Sequence, residues 1–164
     1  MAIELALRYP DRVRALVLLE GDALGLSSAA LEWTRAICDR LREVAAREGV
    51  CAVYEALVDE VVGEGAWDSF PDEVRQVLSR NGPALLAELH YVDEPMPDAA
   101  AFATINKPVL LVAASESPWQ QREMTEAMAD ALPHARTAQI AGGHLVDPAA
   151  PEVLAFLEEL LESR

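Results

Sequence analysis

Residues 132–161, LPHARTAQIAGGHLVDPAAPEVLAFLEELL, decide the fold. The short run Arg136–Ile140 favours a strand, and the two glycines after it allow the backbone to turn sharply before His144. Pro151 opens an amphipathic pattern that predicts a helix ending at Glu162. We therefore expect His144 on a loop just beyond a strand. An imidazole accepts and releases protons near neutral pH, so His144 is the first candidate for general acid–base chemistry.

Two stronger strand patterns lie upstream of this segment. Arg14–Glu20 and Lys107–Ala113 are short apolar runs, which is typical of strands buried on both faces of a parallel sheet. A helix is predicted before the first run, over 2–9, and another over 120–132. Strands that alternate with helices indicate an α/β fold with about three parallel strands and flanking helices.

The segment between the first two strands has a helical pattern throughout. Apolar residues recur at helical spacing over Leu31–Glu48 and in three shorter segments that follow, and Ser28 is placed to cap the first of these helices. We therefore predict a helical insertion over 27–94. The α/β core then consists of 1–26 and 95–164.

Composition limits the classes of function. The chain has 28 acidic and 13 basic residues and a formal net charge of −15. This charge argues against binding to nucleic acids or to anionic membranes. No apolar run approaches the ~20 residues that cross a bilayer, and the first residues lack the basic start and cleavage site of a signal peptide, so we expect a cytoplasmic protein. Cys38 and Cys51 lack metal-type spacing, so we expect neither a metal nor a cofactor.

Polar residues follow each predicted strand. Glu20 and Asp22 follow the first, Glu116 lies in the loop after the second, and His144 follows the third. Ligands of open parallel sheets bind beyond the carboxyl ends of the strands, which is where these groups fall. A carboxylate from a neighbouring strand end would hold the imidazole in one tautomer.

Three stretches of the chain resemble the α/β-hydrolase family. AIELALRYPDRVRALVLLE (2–20) is similar to the helix after the nucleophile elbow and the next strand. KPVLLVAASESP (107–118) is similar to the strand that often carries the catalytic acid. Residues 132–161 resemble the last strand, the catalytic-histidine loop and the final helix. The helical insertion is similar to the family's lid. The resemblance covers the whole chain but only the C-terminal part of the family's fold.

The resemblance implies hydrolysis of an ester or a related small substrate, with His144 as general base. The elbow motif G-x-S-x-G is expected just before Ala2 and does not occur in the chain. The nearest sequence is Gly25-Leu26-Ser27-Ser28-Ala29. The family's usual acid position is occupied by Ser117, so the acid is sought among Glu20, Asp22 and Glu116, with Glu20 favoured.

The resemblance also implies a pocket for an acyl group, which Trp67, Phe70 and Trp119 would line. Two other functions remain open: a truncated, non-catalytic protein that binds a ligand and dimerises, and an enzyme that uses His144 with a carboxylate and needs no serine. The first strand would have an exposed edge, so we expect a homodimer or a complementing N-terminal half.

Overall fold

Three parallel strands form one sheet, which confirms the predicted α/β class. The computed structural model describes residues 2–144 and 146–162. The strands are β1 (Leu16–Leu19), β2 (Val109–Ala114) and β3 (Ala135–Ile140), in the order β1-β2-β3. Because all three are parallel, their carboxyl ends lie at the same edge of the sheet.

The described residues also form helices, which we number along the chain. The α-helices are α1 (Ala2–Arg8), α2 (Ser28–Glu48), α3 (Val53–Val61), α4 (Asp72–Arg80), α5 (Gly82–Glu88), α6 (Ala99–Phe102), α7 (Trp119–Ala131) and α8 (Pro151–Glu162). Short 3-10 helices occupy Pro10–Arg12, Leu24–Leu26, Val50–Ala52, Trp67–Ser69 and Leu89–Asp93. Among the described residues, no helix is both long enough and apolar enough to cross a membrane.

The chain divides into two compact units. One contains the chain up to Ala30 and from Met96 onward, and the other is Leu31–Pro95. The first unit holds the sheet, and the second consists of helices and connecting loops.

The sheet of the first unit is covered on both faces. Leu18 and Leu111 lie on the face that packs against Met128 of α7. Leu110 and Val112 lie on the opposite face and pack against Phe156 of α8. The central strand β2 is buried along almost its whole length, which is why its sequence is a continuous apolar run.

One edge of the sheet is formed by β1. An apolar groove of about 600 Å³ lies beside it and is lined in part by Leu16, Leu157 and Leu161. The last two are 42% and 59% exposed. Within 2–144 and 146–162 no strand pairs with this side of β1. Strand edges of this kind next to exposed leucines favour association.

The second unit has its own small core. Ile37, Cys38 and Leu41 of α2 are buried at helical spacing, and Val53 at the start of α3 is fully buried. Gly82 begins α5. A Cβ at this position would lie 1.9 Å from the carbonyl oxygen of Val50, so only glycine allows this contact.

Candidate active site

Polar residues from all three strands meet at the carboxyl edge of the sheet. Glu20 directly follows β1, Ser117 lies three residues beyond β2, and His144 lies four residues beyond β3. The strand register aligns these ends, because Leu19 pairs with Val112 and Ala114 pairs with Ile140. The structure thus brings together residues that are far apart in the sequence.

Glu20 has an unusual backbone conformation. Its φ is +48°, in the left-handed region that residues other than glycine rarely adopt. Its amide still donates a hydrogen bond to the Val112 carbonyl at 2.9 Å, so the departure from strand geometry occurs at this residue. Gln121 Nε2 donates to the Glu20 carbonyl at 2.9 Å and helps to hold the bend. Such backbone outliers cluster at functional sites.

The buried Glu20 carboxylate accepts hydrogen bonds at both oxygens. The Ala114 amide and the Ser117 hydroxyl approach Oε1 at 2.7 and 2.6 Å. His144 Nδ1 lies 2.8 Å from Oε2. The Glu20 side chain is 4% exposed, whereas that of His144 is 34% exposed. The pair therefore has a buried acid and an imidazole that reaches solvent.

The loop that carries His144 is held by the loop after β2. Gly142 has a φ of +116°, which a residue with a Cβ adopts only with strain. Its amide donates to Ser115 Oγ at 3.2 Å, and its carbonyl accepts from the Glu116 amide at 3.0 Å. These contacts fix the turn that directs the imidazole towards Glu20.

The hydrogen bond between His144 and Glu20 sets the chemistry of the imidazole. A carboxylate oxygen acts as the acceptor in such a contact, so the geometry fits the tautomer with the proton on Nδ1. Nε2 then keeps its lone pair and can accept a proton from another group. A positive charge that forms on the ring would be stabilised by the buried carboxylate. This geometry meets the requirements of a histidine base that is oriented by a carboxylate.

The other two predicted acids have different environments. Desolvation by its surroundings raises the pKa of Asp22 above its ordinary value, although a hydrogen bond with Gln121 and the charge of His144 act in the opposite direction. The Asp22 residue as a whole is exposed. Glu116 is also exposed, and its link to the histidine loop is through its backbone amide. Of the three candidates, Glu20 is the one hydrogen-bonded to His144.

The serine nearest to an elbow motif has a structural role in this conformation. Ser27 is buried, its Oγ accepts a hydrogen bond from the Ala30 amide at 3.0 Å, and it donates to Glu123. It is therefore the N-cap of α2. The prediction that Ser28 caps this helix was wrong by one residue, because Ser28 is already the first helical residue.

The three aromatic residues predicted to line a pocket do not all lie in the same unit. Trp67 is buried in the helical unit and contacts Phe70 edge-on, with their ring centroids 6.4 Å apart. Trp119 begins α7 in the other unit and is 44% exposed. The structure thus brings Trp67 and Phe70 together, and a shared pocket with Trp119 stays a prediction.

Two residues of the site were not predicted as its members. The sequence marks Ser117 only as a position that lacks an acid, and it gives no signal for Gln121. Both are buried and bind Glu20, one at its carboxylate and the other at its carbonyl. No local motif marks such contacts. As for metals, no group of three or more histidine, cysteine, aspartate or glutamate residues in the described ranges is arranged to hold an ion.

Solved structures show which fold this is. MenH from S. aureus superposes with a TM-score of 0.69 at 18% identity, over 98% of this chain and 64% of that one. The esterase from Thermogutta terrifontis gives 0.67 at 26% identity, over 98% of this chain and 60% of that one. An α/β-hydrolase enzyme from a Medee basin deep-sea metagenome library, MGS-M2, gives 0.66 at 18% identity, over 98% and 59%.

These likenesses are structural rather than sequential. No protein-family model matches the chain, and neither does any curated protein. The chain spans about three fifths of the length of the solved structures that it resembles. The resemblance to the family and the predicted partial sheet are both confirmed: the chain has the α/β-hydrolase fold in part, with three parallel strands and their flanking helices.

Proposed function

We propose that this chain supplies the base and the acid of a site that hydrolyses an ester or a related small substrate. The observation that carries the proposal is the 2.8 Å contact between His144 Nδ1 and the buried Glu20 carboxylate at the carboxyl edge of the sheet. The likeness to the Thermogutta terrifontis esterase supports an ester as the substrate class.

In this proposal the nucleophile is a serine outside these 164 residues. The serine oxygen attacks the ester carbonyl carbon while His144 Nε2 takes the proton of the serine hydroxyl. Glu20 stabilises the imidazolium that results, and backbone amides stabilise the oxyanion. The imidazolium then returns its proton to the alcohol oxygen as the ester bond breaks. Water repeats the sequence on the acyl-enzyme, so that a carboxylic acid is released and the serine is regenerated.

Trp119 contributes apolar surface for the acyl group in this proposal, because pockets for small substrates are mostly apolar and aromatic. It begins α7 in the unit that holds His144 and Glu20, and it is 44% exposed.

The test starts from the gene. The reading frame upstream of Met1 should encode a G-x-S-x-G motif, and the extended chain should react with a fluorophosphonate probe at that serine. His144→Ala should reduce labelling and hydrolysis of a short p-nitrophenyl ester by at least about 10³-fold. His134→Ala is the matched control, since His134 is an exposed histidine of the same unit and should retain activity.

Three outcomes would overturn the proposal. One is an upstream sequence without the elbow motif. Another is an extended chain whose labelling is the same with and without His144. Probe labelling at Ser27 would also contradict it, because that serine is assigned here as a helix cap.

A further inference from the structure

We propose that Ser117 is a positioning residue, which holds the Glu20 carboxylate in the orientation that keeps the His144 proton on Nδ1. Its consequence for catalysis rests on the proposed function, whereas its effect on the imidazole can be measured without any substrate.

The Ser117 hydroxyl has two acceptors within reach. Its Oγ lies 2.6 Å from Glu20 Oε1 and 2.7 Å from the Ala114 carbonyl oxygen, and the residue is 1% exposed. A hydroxyl has one hydrogen, so it donates fully to only one of them. An ionised carboxylate is the stronger acceptor, and the geometry therefore assigns this hydrogen to Glu20.

This hydrogen bond distinguishes the two carboxylate oxygens. Oε1 receives the Ser117 hydroxyl and the Ala114 amide, both from the end of β2, and Oε2 is left facing His144 Nδ1. Rotation about the last side-chain bond of glutamate has a broad energy profile, so an unrestrained carboxylate group would turn. Two donors on one oxygen fix its plane, and this plane places Oε2 against the imidazole.

A purely structural role for Ser117 predicts something different. Its amide also donates to the Ala114 carbonyl, at 3.2 Å, so the residue closes a turn after β2. If the hydroxyl served only that turn, its removal would lower stability and leave the imidazole unchanged. The state of the imidazole therefore distinguishes the two roles.

The experiment is nitrogen-15 NMR of the chain at a pH where His144 is neutral. The chain contains three histidines, and His144→Ala identifies the signals of interest. In the native chain we expect the proton on Nδ1. In Ser117→Ala we expect the ratio of the Nδ1–H to the Nε2–H form to fall about fivefold or more, the scale of one lost hydrogen bond.

Two further variants keep the test falsifiable. Ser117→Cys retains a weak donor and should give an intermediate ratio. This variant also keeps the test available if Ser117→Ala does not fold. Thr104→Val removes another hydroxyl of this unit, which donates to the Ala101 carbonyl at 2.7 Å, and should not change the ratio.

Native tautomer ratios in both Ser117 variants would overturn the inference. The experiment distinguishes a failure of this inference from a failure of the proposed function. A shifted ratio in a protein that hydrolyses no ester would leave Ser117 as a positioning residue and refute only the hydrolase.

Discussion

Replacing Glu20 with glutamine tests the buried carboxylate most directly. The amide is almost the same size as the carboxylate but carries no charge. Its oxygen can still accept from the Ala114 amide and the Ser117 hydroxyl. Its NH₂ group must then face His144 Nδ1, and two donors cannot share a hydrogen bond. The imidazole proton has to move to Nε2, which removes the lone pair that a general base requires.

The size of the effect follows from the three contacts, which measure 2.6 to 2.8 Å. A hydrogen bond to a charged group contributes about 1.5–3 kcal/mol and one between neutral groups about 0.5–1.5, so the three contacts together weaken by about 3 kcal/mol. A buried amide costs less to desolvate than a carboxylate, which offsets part of this loss. We expect the free energy of unfolding to fall by about 1–3 kcal/mol, or about 2–4 °C in Tm for each kcal/mol.

The assay is urea and thermal unfolding of Glu20→Gln beside the native chain. Glu116→Gln is the matched control, because it makes the same chemical change at an exposed residue of the same site and should stay within about 0.5 kcal/mol. Equal losses of stability in both variants, or no loss in either, would contradict this role of the buried carboxylate. Under the proposed function, Glu20→Gln in the extended chain should also lower kcat by about 10⁴-fold, the scale of replacing a triad acid by its amide.

Three further predictions address the loop, the second acid and the sheet edge. Gly142→Ala should lower the free energy of unfolding by about 1–3 kcal/mol, because Gly142 has a positive φ. Gly143 has no positive φ and open space around it, so Gly143→Ala should leave the free energy of unfolding in urea nearly unchanged. The pKa of Asp22 is raised in the folded state, so protonation of this group stabilises the fold. The stabilisation is fully present below the ordinary pKa of 3.8 and is lost as the pH rises through the raised pKa. Urea titrations should therefore show Asp22→Asn becoming more stable than the native chain as the pH rises through this window. Light scattering should show a dimer that becomes a 17.8 kDa monomer in Leu157→Glu/Leu161→Glu, and a monomeric native chain would contradict association through this edge.

The strands and the place of His144 could be predicted because they depend on local sequence. A buried central strand requires an apolar run, and a strand followed by two glycines leaves the next side chain on a loop. Residues at the carboxyl ends of parallel strands are brought together by the topology itself. Glu20 and His144 could therefore be expected to meet, although 124 residues separate them.

The choice among the acids, and the residues that hold the acid, could not be read from the sequence. Glu20 has a φ of +48°, and the adjacent Gly21 does not indicate that the left-handed conformation falls on Glu20 itself. The role of Ser117 depends on a distance to a side chain that lies 97 residues away. The boundary at Ser28 was wrong by one residue because either serine of the pair is able to cap a helix.

The position of the acid across the sheet has a consequence for its length. The acid leaves β1 and the base follows β3, so the pair spans two interstrand spacings, about 10 Å, with the end of β2 between them. Aspartate at position 20 would be shorter by one methylene, about 1.5 Å, and would leave a gap at the imidazole. The separation of β1 and β3 thus favours the longer side chain at this position. A change that moves β1 away from β3 would lengthen the contact between His144 Nδ1 and Glu20 Oε2, so this distance also depends on the packing of the sheet.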